Sequence, residues 1–177
     1  AKRKGKVKIQ SSAYLSGKLV SLLKNKSMNT AIDTELNQKN HIELKALYSE
    51  TLNSRLHGLC FSPYVEGQQA GDILTADQIK RRLDIIAPHT KWIRSFSCTE
   101  GNELIPEIAH QKGLKTVVGA WISNDRNRNE KEIETLIKLA KSGLVDIAAV
   151  GNEVLHRNEI SEQELITYLK RVKEAVP

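Results

Sequence analysis

Asn152 and Glu153 close an apolar run of β-branched and small residues, Val145-Asp146-Ile147-Ala148-Ala149-Val150-Gly151. Such a run reads as a strand buried on both faces, so the polar pair falls where a parallel strand opens onto its following loop. A carboxylate held there loses part of its hydration. Its pKa is then expected to rise towards the range where it can give and take a proton near neutrality. Asn152 beside it would offer a neutral donor to a sugar hydroxyl. The plainer reading fits the spacing as well: Glu153 as a solvated loop carboxylate and Asn152 as a turn former.

The elements that must position this pair alternate strictly. His57–Ser62 is a predicted strand closed by Pro63 and a loop carrying Gly67 and Gly71. Thr75 starts a helix at capping-box spacing to Gln78, with Ile79, Leu83 and Ile86 on one face and Pro88 stopping it. Lys91–Cys98 is the second strand, followed by a helix over Asn102–Lys112 that Gly113 caps. Leu114–Ile122 is the third strand, leading through Ser123-Asn124-Asp125-Arg126 into a helix over about 129–142 with Gly143 as its cap. The Asn152-Glu153 strand is fourth, and Ser161 to Glu164 opens a last helix at a second capping-box spacing. Strand–helix alternation of this kind argues for a parallel sheet with right-handed crossovers. An open doubly wound sheet and a (β/α) barrel both satisfy it. No G-x-G-x-x-G turn follows any strand, and the polar residues gather in the βα loops, which favours the barrel. A complete barrel takes about 250 residues, so four units correspond to roughly its first half.

Ahead of this region, residues 1–54 show no sustained period apart from one amphipathic helix expected over about 37–56, on Ile42, Leu44, Leu47, Tyr48 and Leu52. The net charge of +6 lies at the start of the chain. Residues 1–27 hold eight of the 27 basic residues and no acidic one, so the remainder carries slightly more acid than base. That distribution argues against nucleic-acid binding by the folded part. The only methionine, Met28, stands where the basic run stops. Residues 1–27 are accordingly expected to be unstructured or only weakly helical and to lie outside the natural protein, upstream of a start at Met28; the competing expectation is a basic arm that binds polyanions. No apolar run is long enough for a membrane helix, and Leu19–Leu23 is too short for a signal sequence, leaving the location of the protein open. Cys60 and Cys98 both fall in predicted strands and are expected to be buried thiols rather than a disulfide or metal pair; no metal or cofactor is called for.

Four stretches carry a resemblance: Gly58-Leu59-Cys60-Phe61-Ser62-Pro63-Tyr64, Ile93-Arg94-Ser95-Phe96, Gly113-Leu114-Lys115-Thr116-Val117-Val118-Gly119-Ala120-Trp121 and Val150-Gly151-Asn152-Glu153-Val154. Through them, residues from about 57 to 177 resemble the N-terminal half of a bacterial-type glycoside hydrolase family 17 domain, the β-1,3-glucanase and β-1,3-glucanosyltransferase family of (β/α) barrels. The resemblance implies that Glu153 is the general acid/base and that Asn152 contacts the sugar 2-hydroxyl. Tyr64, Arg94, Trp121 and Asp125 follow as candidate substrate-binding residues. Arg94 would orient a carboxylate and Trp121 would stack on a sugar face, although both serve equally well as barrel-filling or loop-packing residues, and Asp125 with Arg126 as a solvated pair. Phe96 stands near a place where many relatives have tyrosine.

The family's nucleophile is a glutamate at the end of the seventh strand, beyond the four units seen here. None of Glu66, Asp72, Glu100 and Asp125 has its context. The expected protein is therefore an incomplete, retaining β-1,3-glucan-active hydrolase or transglycosylase, holding the acid/base and lacking the nucleophile, with little activity of its own. Its partner would be a β-glucan oligosaccharide or polysaccharide, and the family's substrates suggest a cell-envelope or extracellular setting. The alternative is a non-catalytic half-barrel module that binds glucan or assembles with a second half through its uncovered surface.

Overall fold

A computed structural model of the chain describes residues 8–10 and 36–176. Five parallel strands form one sheet: β1 Lys8–Gln10, β2 Leu56–Cys60, β3 Thr90–Arg94, β4 Lys115–Ala120 and β5 Ile147–Val150, in the spatial order β1-β5-β4-β3-β2. The helices are α1 His41–Asn53, α2 Ala76–Ile86, α3 Ile105–Gln111, α4 Arg126–Lys141 and α5 Glu162–Ala175. Strands β2 to β5 lie side by side in chain order. With right-handed crossovers, that order puts every connecting helix on the same face, whereas a doubly wound sheet reverses direction at a switch point. The four units are thus consecutive βα units of a (β/α)-barrel wall.

Two clusters fill the space between sheet and helices. Ile79 and Leu83 of α2 pack with Phe61, Ile93, Ile105 and Leu114. Ile133, Leu136 and Ala140 of α4 pack with Val118, Ala148, Val150, Leu165 and Val172. Ile79, Leu83, Ile133 and Leu136 are fully buried, each contributing about 1.5–3 kcal/mol of apolar transfer. Helix α4 touches β4 and β5 and packs beside α5, where Arg171 pairs with Glu130.

Several expectations change. Strand β5 is buried on one face only: Ala148 and Val150 are covered while Ile147 and Ala149 are half-buried, because among the described residues the helices pack against one side of the sheet. Its outer edge is not free either. Lys8, Ile9 and Gln10 pair with Ile147, Ala148 and Ala149, so a stretch expected to be unstructured or weakly helical supplies the fifth strand by satisfying the edge amides and carbonyls. The rest of 1–27, Met28 included, lies outside the described residues.

Strand β3 ends at Arg94 rather than Cys98, and Cys98 sits buried in the following loop, its Sγ donating to the Gly119 carbonyl. Cys60, expected to be buried, is exposed at the end of the sheet's outermost strand, β2. Helix α4 begins three residues earlier than expected, because Asp125 accepts from the Arg128 amide and caps it. The expected α1 forms behind an Asn40–Glu43 capping box, yet none of its residues is buried and Ile42 and Tyr48 are exposed.

Candidate active site

The C-terminal ends of β2 to β5 deliver Phe61–Tyr64, Ser95–Cys98, Trp121–Ser123 and Gly151–Glu153 to one end of the sheet. Neighbouring ends sit close. The Gly119 amide donates to the Ser95 carbonyl, and a Cβ on Gly119 would stand 2.6 Å from that oxygen, so only glycine lets β4 approach the β3 exit here. The chain then leaves β5 through two left-handed residues, Gly151 at φ 78° and Glu153 at φ 54°. A non-glycine residue in that region marks a locally strained backbone, of a kind that concentrates at functional sites.

Arg94 and Asn152 meet there. Arg94 Nη2 donates to Asn152 Oδ1 at 2.8 Å, which fixes the amide so that its Nδ2 faces away from the arginine; no described protein group accepts from that Nδ2. The same guanidinium lies 4.8 Å above the Phe96 ring. Its Nε is buried with no hydrogen-bond partner among the described residues. Glu153 itself is exposed, and its carboxylate has no hydrogen bond or ion pair to a described residue. The expected removal of its hydration is therefore not present: Glu153 stands three residues beyond the end of β5, in an open turn.

The turn is held by a residue that sequence reasoning passed over. Arg157 donates its backbone amide to the Glu153 carbonyl, Nη1 to the Asn152 carbonyl, and Nη2 to the Ile122 carbonyl and to Glu159. Its guanidinium also covers the Trp121 ring at 4.6 Å.

Two buried polar side chains of α4 were missed as well. Glu132, fully buried, accepts from Ser97 Oγ, the Cys98 amide, Thr99 Oγ1 and the Trp121 amide, at 2.5 to 3.1 Å. Asn129, also fully buried, receives the Ser123 amide on Oδ1 and donates Nδ2 to the Ser123 carbonyl. Glu132, Leu136 and Ala140 recur at four-residue spacing, so the buried stripe of the helix was the available signal. The burial of Cys98 and the negative charges of Glu132 and Glu103 push the Cys98 thiol well above its ordinary value.

Tyr64 and Trp121 line one cavity of about 290 Å³, with Phe61, Phe96, Asn102 and Arg128. Arg128 is held in that wall by Glu100 at 2.7 Å. Asp125 lies elsewhere, in a separate groove with Arg126, Glu159 and Glu164. Thus Arg94 and Asn152 are in contact and Tyr64 and Trp121 share a cavity, while Asp125 is engaged as a helix cap; Arg126 pairs with Glu164 rather than with Asp125. Among the described residues, no group of three or more His, Cys, Asp and Glu could hold a metal ion, and no helix is long and apolar enough to cross a membrane.

Residues 58–177 match the BtgE/BtgC glycoside hydrolase domain. The chain belongs to that family. A probable β-glucosidase, btgE, of Aspergillus flavus is 26% identical over 121 residues, covering 66% of this chain and 19% of its own length. The glucan 1,3-β-glucosidase BGL2 of Candida albicans is 26% identical over 98 residues, covering 53% of this chain and 32% of its own. A glucan 1,3-β-glucosidase of Arthroderma benhamiae is 28% identical over 103 residues, 55% of this chain and 33% of the relative. The BtgE/BtgC-type chain therefore spans about a fifth to a third of these relatives. Its fold is also that of an active-site mutant of the Rhizomucor miehei β-1,3-glucanosyltransferase, solved with laminaritriose, at a TM-score of 0.57 and 24% identity over 69% of this chain and 46% of that one. The family resemblance read from the four motifs is borne out.

Proposed function

We propose that this glycoside hydrolase family chain is the acid/base half of a retaining β-1,3-glucan-active site. The observation that carries it is the pairing at the end of the fourth barrel unit: Asn152, held by Arg94, beside Glu153, with neither the Asn152 Nδ2 nor the Glu153 carboxyl engaged by a described residue. In this reading Glu153 gives its proton to the glycosidic oxygen as the bond from that oxygen to the anomeric carbon breaks. A second carboxylate, about 5–5.5 Å from the first in retaining enzymes, attacks the anomeric carbon. Asn152 Nδ2 donates to the 2-hydroxyl, an interaction that strengthens as oxocarbenium character develops. Tyr64 and Trp121 offer ring surface to the sugar from the neighbouring cavity.

Asp125, Glu100 and Glu132 are each engaged by other groups, which leaves none of them suited to be the nucleophile. The buried, unpartnered Nε of Arg94 is the donor that a second carboxylate would satisfy. Two of the three relatives and the structural neighbour carry glucan names, and laminaritriose is the oligosaccharide in the neighbour, which makes a β-1,3-linked glucan the first ligand to test.

The test is cleavage of laminaritriose in molar sodium formate, whose carboxylate can take the nucleophile's place. Formate-dependent release of glucose that is lowered at least about 100-fold by Glu153→Gln supports the acid/base role. Release that Glu153→Gln leaves unchanged overturns it. The second reading, a non-catalytic half-barrel that assembles with another copy, draws on the half-buried sheet face at Ile147 and Ala149. Light scattering separates it: a defined dimer that binds glucan without any formate-dependent cleavage favours the module.

A further inference from the structure

Arg157 joins two strand exits that no backbone hydrogen bond beyond Gly151 joins. Past the Gly151 amide, which donates to the Ala120 carbonyl, the β4 and β5 loops separate. Arg157 then reaches the Ile122 carbonyl on one side and the Asn152 carbonyl on the other, while its planar face lies against Trp121. Glu159, at 2.6 Å, holds Nη2, the same nitrogen that reaches Ile122. Trp121 is thus constrained twice: its backbone by Glu132 and its ring by Arg157. One ring face is occupied by the cation, and the residue lines the cavity with what remains of its surface.

We propose that Arg157 is a positioning residue that sets the Trp121 ring and the Asn152-Glu153 turn as one unit, so that the sugar platform and the proton donor keep a fixed relation. The proposal rests on the glucan-active reading above. A guanidinium suits the task because its fork can meet two carbonyls while its plane stacks on an indole; an ammonium does neither together. Charge alone would be kept by lysine, so the Arg157→Lys variant separates a charge effect from a geometric one.

The experiment follows the Trp121 indole N–H resonance by NMR in the full chain, assigned by Trp121→Phe, with and without laminaritriose. The wild-type resonance is expected to be single and sharp. In Arg157→Lys and Arg157→Met it is expected to broaden or split, and laminaritriose affinity to fall about tenfold, the order of one partly exposed cation–π contact. A resonance as sharp in both folded variants as in the wild type overturns the proposal. If neither Arg157 variant folds, Glu159→Gln loosens the guanidinium at Nη2, and an unchanged Trp121 resonance there overturns it equally. Absence of any laminaritriose response in the wild type counts against the glucan reading instead, and the indole line shape alone then decides the role of Arg157.

Discussion

A carboxylate's use is decided by what surrounds it, and this chain holds two opposite cases within one end of the sheet. Glu153 has solvent and no partner among the described residues; Glu132 has four donors and no solvent. Removing Glu132 leaves the Cys98 and Trp121 amides and two hydroxyls without their acceptor. Buried donors left so cost about 1–3 kcal/mol each, and Glu132→Ala should lower the unfolding free energy by more than about 3 kcal/mol in urea titration. A change under 1 kcal/mol would show that water takes over as acceptor. Cys98 gives a pH dependence of known sign. Its folded pKa is raised above the ordinary 9.0, so native chain keeps a proton that unfolded chain releases. Its stabilising contribution is complete below pH 9.0 and declines as pH rises towards the native value. The urea midpoint should therefore fall above about pH 9 in the wild type and fall less in Cys98→Ala. Iodoacetamide should meanwhile label the exposed Cys60 in the native chain and spare Cys98.

At the scale of elements, local signals were read well where a side chain serves its own backbone. The Ser161–Glu164 capping box is realised at α5, and Gly113 and Gly143 end α3 and α4 with positive φ. At α2 the same spacing is only half realised: Thr75 caps, but the Gln78 side chain reaches the Pro63 carbonyl and Gln68 instead, holding the β2 exit loop. That choice depends on a tertiary partner which no local pattern displays. The start of α4 was misplaced because Asp125 can be a loop ligand or a cap, and only the packing of Asn129 and Glu132 decides. Hydrogen bonds from the Ser161 amide and hydroxyl and from Arg126 hold Glu164 below the usual carboxylate range. Its contribution is present above the unfolded carboxylate's pKa and is lost as pH falls through the lower folded value. Helix α5 should fray from its first turn on acidification, visible as faster amide exchange at Gln163–Leu165, and Glu164→Gln should remove that dependence. Burial sets a different contrast: Leu136→Ala in α4 should cost about 2–5 kcal/mol, whereas Leu47→Ala in the unburied α1 should change stability by less than about 0.5 kcal/mol.

For the molecule as a whole, the parallel sheet and its barrel order were legible because alternation and loop polarity repeat four times. The site was legible in part. Asn152 and Glu153 stand out by ending the most apolar strand, and the contact of Arg94 with Asn152 follows once β3, β4 and β5 are neighbours. Arg157 and Glu132 were not found, since their roles come from fixing loops that are far apart in the chain, while Asn129 serves the Ser123 turn just ahead of its own helix and shows no pattern beyond its place on the buried stripe. The three residues of β1 were missed for a related reason: the alternation Lys6-Val7-Lys8-Ile9-Gln10 is a two-residue period too short to stand out in a lysine-rich stretch.

That added strand bears on the order in which the molecule assembles. The other strand pairs join neighbours along the chain, but β1 meets β5 only after nearly the whole chain has intervened. Closing so long a loop costs more entropy than any other pairing here, and just three residues offset it. The β1–β5 ladder should consequently be the last part of the sheet to form and the first to open, with amide protection at Ile147–Ala149 lost towards β1 well before it is lost towards β4.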